Sequence, residues 1–339
     1  MLATVAESDQ PVVLGALVSV LTTEGRDELS EAGAESVAAF ALHGLGNEAT
    51  IALHELAKPT PAELAHAIGD EDVRELVAQA LALSSLVDGA LDAGRIDVVL
   101  AYATGLEVAE HWVDDLALSR AKDLTAVIAD MGARNLESVT DRRIDLAAID
   151  DISRWLLPYD GDGADAELSG RYRALGELPE GTLGHAFFEF YDRHGFAMPG
   201  EPGAVNEIFG TPHDATHLLS GYDTSPQGEL LVSTFTSRMH PINPFEGHVL
   251  PVVYSWHLGI EFNTLAGSYR GALDTPKFWV AWERGERAHA DTFAAEFDFW
   301  EHTETPLASV AAAFDIPPLD DAFAAHSDAV AGVDYHPIA

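Results

Sequence analysis

Through most of the first 157 residues apolar side chains return every three or four positions, as at Val73, Leu76, Val77, Ala80 and Leu81, and β-branched alternation is scarce. That period lines one face of a helix and leaves no face for a strand, so the chain reads as all-α. Breaks fall at residues 44–47, at Lys58-Pro59-Thr60-Pro61 and at 88–94. At the second of these, Thr60 is placed to cap a helix with Pro61 in its first turn and Glu63 completing a capping box. Residues 158–170 (PYDGDGADAELSG) concentrate Pro, Gly and Asp without periodicity and read as a linker. Two helical domains are therefore expected, a bundle of unassigned role at 1–157 and a second domain at 171–339. In the second, helices are expected at 182–194, 211–221, 226–239, 249–265, 275–284 and 288–302.

Composition narrows what such a helical protein does. With 18 Lys and Arg against 56 Asp and Glu, the formal charge is −38. A surface of that sign repels phosphate backbones and anionic headgroups, which argues against nucleic acid as a partner and leaves at most peripheral contact with a membrane. There is no Cys, so disulfides, thiolate catalysis and Cys-ligated metals are excluded together, and any metal must be held by nitrogen and oxygen. The N-terminal segment has no basic region, and its longest apolar stretch, residues 11–21, is about half of the roughly 20 residues a spanning helix needs. A cytoplasmic protein is expected.

The segment richest in chemistry is Thr211-Pro212-His213-Asp214-Ala215-Thr216-His217, followed by Gly221, Ser225-Pro226 and Glu229. Thr211-Pro212 reads as a helix start, which puts His213 and His217 one turn apart on one face and Asp214 on the adjoining edge. Gly221 is placed to end that helix and Ser225-Pro226 to start the next, so a tight hairpin would carry Glu229 toward the histidines. A His-x-x-x-His pair is expected by chance about 0.7 times in a chain of this composition, and roughly 0.06 times once Asp must follow the first His. Two imidazoles and two carboxylates suit Zn²⁺ or another divalent first-row ion better than an all-oxygen Ca²⁺ site. The competing reading is that Asp214 closes a capping box with Thr211 and that the histidines are surface groups.

Other pairs carry less. His257 and Glu261 lie one helical turn apart, with His240 and His248 nearby, and are candidates for orienting the ligands or for a second site. Glu63/His66 and Glu286/His289 match half of a di-iron motif, but about 1.2 such matches arise by chance, and the two fall in different expected domains. Trp279 and Trp282, three apart, describe an amphipathic core helix.

His213-Asp214-x-x-His217, eleven residues and then Glu229 resemble the HDxxH-x11-E signature of the coenzyme Q biosynthesis protein four family. Arg171-Tyr172-Arg173-Ala174-Leu175 and the run from Leu178 to Ala186 (LPEGTLGHA) are similar to that family's lead-in. The run from Trp282 to Ala288 (WERGERA), Pro306-Leu307 and Phe314-Asp315-Ile316-Pro317 resemble its closing helices. The resemblance spans about residues 171–318, and Thr216 departs from it, standing where the family usually has Trp.

It implies an all-helical fold, with a divalent metal on His213, Asp214, His217 and Glu229. Zn comes first as that metal, with Mn, Fe or Mg as alternatives. It further implies an isoprenoid or prenylated ring lipid as ligand, a homodimer, and association with other proteins of a biosynthetic complex. The activity implied is support of the decarboxylation and hydroxylation of a polyprenyl hydroxybenzoate, which as catalysis would make the protein a metal-dependent carboxy-lyase. Leu230, Leu231, Phe235 and the run 249–260 are the candidates to line a lipid site, with ordinary core packing as the competing reading. Two further alternatives stand beside this one: a non-catalytic lipid-binding scaffold with a structural metal and, fitting less well, an HD-type metal phosphohydrolase. In the N-terminal half, residues 86–108 are similar to one unit of the TerB-like helical domains, but Arg95 stands where that pattern has an acid, so no metal site carries over.

Overall fold

A computed structural model describes residues 4–23, 28–49, 52–143, 145, 149, 151–262 and 267–325. The described chain is all-α, as its apolar period requires, and its only extended pairings are two isolated bridges, Thr182 with Pro306 and Leu258 with Arg270. No described helix is long and apolar enough to cross a membrane. The chain divides into two compact units. Unit 1 takes Met1–Gly132, Leu250–Phe262 and Gly267–Glu283; unit 2 takes Ala133–Val249 and returns for the C-terminal segment from Arg284.

Unit 1 contains α1 (Gln10–Leu21), α2 (Glu31–Ala39), α3 (Pro61–Ala67), α4 (Glu71–Leu86), α5 (Ala93–Gly105) and α6 (His111–Arg120). In α4 the expected Leu76, Val77, Ala80 and Leu81 are buried, but so is every other residue from Leu76 to Leu86, and Val73 is only half-buried, so the C-terminal part of the helix is enclosed on all sides rather than along one stripe. Thr60 and Glu63 form the expected capping box at α3. The Asp88-Gly89 turn precedes α5, whose N-cap is Asp92. Arg95, buried at 2% exposure, donates from Nη2 to Asp88 Oδ2 at 2.5 Å, so a guanidinium supplies the positive charge in that turn. Unit 1 also takes Trp279 and Trp282, both buried, with Phe40 packed on Trp279 at 4.9 Å.

The division falls within α7 (Leu124–Val139), and residues 158–170 are not a linker. They lie inside unit 2, folded against the loop that follows them in space. Asp160 accepts from Gly203 N, Asp165 N donates to Gly200 O, and Asp165 caps α9 (Ala166–Arg173) after the short α8 (Ile152–Leu156). Asp and Gly are concentrated here to cap and turn a packed segment. The expected domain at 171–339 therefore begins too late, and its end, residues 326–339, lies outside the described residues.

The rest of unit 2 is built on α10 (Leu183–His194), α11 (Glu207–Ser220) and α12 (Pro226–Met239). α10 begins where its Thr182 cap predicts, and α12 where Ser225-Pro226 predicts. α11 starts four residues before the expected site, because Asn206 takes the cap and Pro212 sits inside the helix. The expected helix at 249–265 is instead a π-helical turn at Pro244–Val249, a short α13 (Leu250–Val252) and a second π-helical turn at Val253–His257. Residues 263–266 lie outside the description. α14 (Thr275–Arg287) runs three residues past its expected end. Of 288–302 only α15 (Phe299–His302) is α-helical, since Asp291 accepts from the N–H groups of Phe293 and Ala294 and Asp298 caps Trp300. α16 (Leu307–Ala313) is the last α-helix among the described residues, and a 3-10 turn at Asp321–Phe323 follows it.

Candidate metal centre

The α11–α12 hairpin depends on two glycines. Gly221 ends α11 with φ +82°, a conformation side chains other than glycine rarely adopt. A Cβ on Gly228 would stand 2.0 Å from Asp223 O, so only glycine lets the first turn of α12 close on the connecting loop. The consequence is the convergence expected from sequence. His213 Nε2 and His217 Nε2 are 3.2 Å apart. Glu229 reaches across from α12, presenting Oε2 to His213 at 3.3 Å and Oε1 to His217 at 3.5 Å. Among the described residues His213, Asp214 and His217 each offer a ligand atom, and these lie within 4.8 Å of one another.

Each side chain is held from behind. His217, 1% exposed, turns Nδ1 to the Tyr222 carbonyl at 2.9 Å and lies on the Phe190 ring. A carbonyl only accepts, so Nδ1 carries the proton and a neutral His217 keeps its Nε2 lone pair aimed at Glu229 and His213. His213 stacks on Phe209. Asp214 accepts from the Tyr191 phenol at 2.5 Å. The capping-box reading is thereby overturned: Thr211 lies in the helix interior with its hydroxyl on Tyr172 at 2.6 Å, and Asp214 is engaged by another helix. Thr216, fully buried, bonds Pro212 O and the Thr292 hydroxyl, both at 2.7 Å.

The electrostatics follow from burial against charge. Burial alone would lower His217, but Glu229 and Asp214 raise it to about 9. Burial alone would raise Glu229, but the two imidazoles hold it well below the usual carboxylate range. Desolvation raises Asp214 from its ordinary value despite the histidines, and drives the Tyr191 phenol far above its own, so it remains a donor. The raised His217 and the lowered Glu229 describe an ion pair, with the proton of His217 Nε2 facing Glu229 Oε1 across 3.5 Å. A divalent ion bound there would displace that proton.

The donor set fits such an ion. Bonds of about 2.0–2.1 Å in tetrahedral geometry place ligand atoms roughly 3.3–3.4 Å apart. The separations of 3.2, 3.3 and 3.5 Å bracket that value. His213 and Glu229 remain 18% and 19% exposed, so the cluster is open on one side.

The other sequence candidates do other work. His257 bonds the Leu86 and Val87 carbonyls through Nε2 and accepts from Leu273 N at Nδ1, all within unit 1, which leaves neither nitrogen to orient a ligand. Glu261, the other candidate there, is exposed. Leu230, Leu231 and Phe235 are fully buried in unit 2 as helix core, so they line no open lipid site in this structure. Of the di-iron halves, Glu63 is taken by its capping box and Glu286 by Arg238, while His289 pairs with Asp315.

Three supporting residues, Tyr191, Tyr222 and Phe190, were not legible from sequence. Tyr222 acts through its backbone oxygen, and Tyr191 lies 23 positions from the residue it holds. The lead-in and closing segments also meet. Leu183 and Gly184 donate to Thr305 and Thr303, and Leu307 donates to Gly181. Arg284 bonds the carbonyls of Ser220, at the end of α11, and Pro317. No family model and no curated protein matches the chain.

Proposed function

We propose that this is a metal-dependent protein whose centre, formed by His213, His217 and Glu229 with Asp214, holds a divalent ion, Zn²⁺ first and Mn, Fe or Mg as alternatives. The observation that carries the reading is the set of three donor separations near the tetrahedral edge, combined with a tautomer of His217 that frees Nε2. An ion held there supplies Lewis acidity to a bound carboxylate or phenolate. The residues divide the remaining work: Tyr222 and Phe190 fix His217, Tyr191 fixes Asp214, and the exposed edges of His213 and Glu229 define the side of approach.

The resemblance to the coenzyme Q biosynthesis protein four family gives the substrate class, a prenylated hydroxybenzoate whose ring carboxyl group is removed. The meeting of the lead-in and closing segments around the same hairpin supports that reading. With so few basic residues, the ion is the best partner for a substrate carboxylate. A non-catalytic scaffold with a structural metal is the second reading, favoured by the full burial of Leu230, Leu231 and Phe235.

Elemental analysis of protein purified without a His tag tests the centre. About one equivalent of a divalent transition metal is expected, and less than about 0.1 equivalent after reconstitution with Zn²⁺, Mn²⁺ or Fe²⁺ sinks it. Turnover of a polyprenyl hydroxybenzoate by the loaded protein, lost in His217→Ala with the fold retained, separates enzyme from scaffold. Organic extraction and mass spectrometry test the lipid.

A further inference from the structure

We propose that Tyr191 is the positioning residue of the metal centre: its phenol fixes the rotation of the Asp214 carboxyl against the imidazole pair. The inference rests on the reading that the cluster holds a metal. His213 and His217 are set within their own hairpin, by helical spacing, by stacking on Phe209 and Phe190, and by the Tyr222 carbonyl. Asp214 is steered from a different helix. Tyr191 stands near the end of α10 and donates to Asp214 Oδ2 at 2.5 Å, the short end of the range for a charge-assisted O–H···O bond.

The donor is itself immobilised. Tyr191 is 4% exposed, stacks on Phe187 with ring centres 4.7 Å apart, and receives the Phe196 ring edge-on at 5.8 Å. Tyr191 also lines a pocket of about 300 Å³ walled by Phe188, Phe196, Met198, Arg173 and Glu201. Because the phenol is the donor and the carboxylate the acceptor, removing the hydroxyl frees one carboxylate oxygen to rotate without changing any ligand. Outer partners of this kind typically govern metal affinity about 10–100-fold.

The experiment measures Zn²⁺ affinity by competition with a chromophoric chelator, and the visible spectrum of the Co²⁺-loaded protein. It compares the wild type, Tyr191→Phe and, as a buried-phenol control in unit 1, Tyr102→Phe, whose hydroxyl donates to the Pro59 carbonyl. Tyr191→Phe is expected to lose about 10–100-fold in affinity and to change the Co²⁺ bands, with Tyr102→Phe unchanged in both. In an Asp214→Ala background the same Tyr191 substitution should cost nothing further, since its effect passes through that carboxyl. If the wild type binds metal and Tyr191→Phe matches it in affinity and spectrum, the positioning role is overturned while the centre stands. If the wild type binds neither ion, the centre falls and this role with it. Should Tyr191→Phe not fold, 3-fluorotyrosine at position 191 keeps the ring and strengthens the donor. The Co²⁺ spectrum should then shift, and an unmoved spectrum overturns the proposal.

Discussion

Among the described residues of unit 2, the histidine–carboxylate cluster around His217 and the one around His240 differ in what is left over. At His213, His217 and Glu229 the donors face one another and His217 spends only Nδ1 on the scaffold. At the second cluster His240 directs Nδ1 to Asp291 at 2.6 Å and Nε2 to the Ser138 carbonyl at 3.1 Å, using both nitrogens. His248 meets the Ser138 hydroxyl at 2.5 Å, and burial, reinforced by His240, pushes it down to about 3, so it is neutral at ordinary pH. In the first cluster His217 Nε2, His213 Nε2 and Glu229 are left facing one another. The second is a closed polar network tying the end of α7 to the end of α12 and the Asp291 turn. A histidine binds metal when the fold leaves one nitrogen without an acceptor to serve.

Substitution at the two sites should separate these roles most sharply. His217→Ala should lose metal at least about 100-fold, read by elemental analysis. His240→Ala should retain metal but lose on the order of 1–3 kcal/mol of stability in urea unfolding, because it removes the imidazole's hydrogen bonds to the Asp291 carboxylate and the Ser138 carbonyl. If His240→Ala also strips the metal, the contrast fails.

Zn²⁺ at 100 times its dissociation constant should raise wild-type stability by about 2.7 kcal/mol, reversibly with a chelator, and leave His217→Ala unmoved. Calorimetry reads this directly.

A pH series sharpens the contrast further. His217 has a folded value of about 9, above the ordinary 6.5, so in the metal-free protein its contribution is complete below 6.5 and disappears as pH rises through 9. Glu229, held low, contributes above the ordinary carboxylate value and is lost only in strong acid. Metal-free protein should therefore lose thermal stability between pH 6.5 and 9, while Zn²⁺ affinity rises over the same interval as the proton leaves. Parallel slopes would rule out proton–metal exchange at His217.

The smallest effect belongs to Glu261→Gln: on the exposed side chain no change in metal content is expected, and a loss would restore it as a partner of the centre.

Much of this was legible locally. The helix signalled by the period at Val73 to Leu81, the Thr60/Glu63 capping box, the Thr182 cap and the Ser225-Pro226 start each follow from signals within two or three turns of chain, and each appears where expected. The errors share a cause. Thr211-Pro212 looked like a start because proline usually opens helices, but Asn206 capped earlier, and inside α11 the Thr211 hydroxyl found Tyr172. Asp291 and Asp298 broke an expected helix by accepting from N–H groups two or three residues on. Asp, Gly and Pro at 158–170 suggested a linker, yet their partners at Gly200 and Gly203 lie more than thirty residues ahead.

The sequence by itself determined an all-α chain, a thiol-free protein limited to nitrogen and oxygen ligands, and a hairpin whose spacing delivers Glu229 to two histidines. These follow from backbone periodicity, capping and composition, which act over a few residues. Only the tertiary structure decided which imidazole nitrogen is free, which tyrosine holds Asp214, that Leu230, Leu231 and Phe235 are core, and that His240 and His257 are spent on carbonyls and a carboxylate. Except for Tyr222, five residues from His217, the partners in those outcomes lie tens to more than a hundred residues away, brought near by burial of apolar faces that carry no record of which polar group will lie opposite.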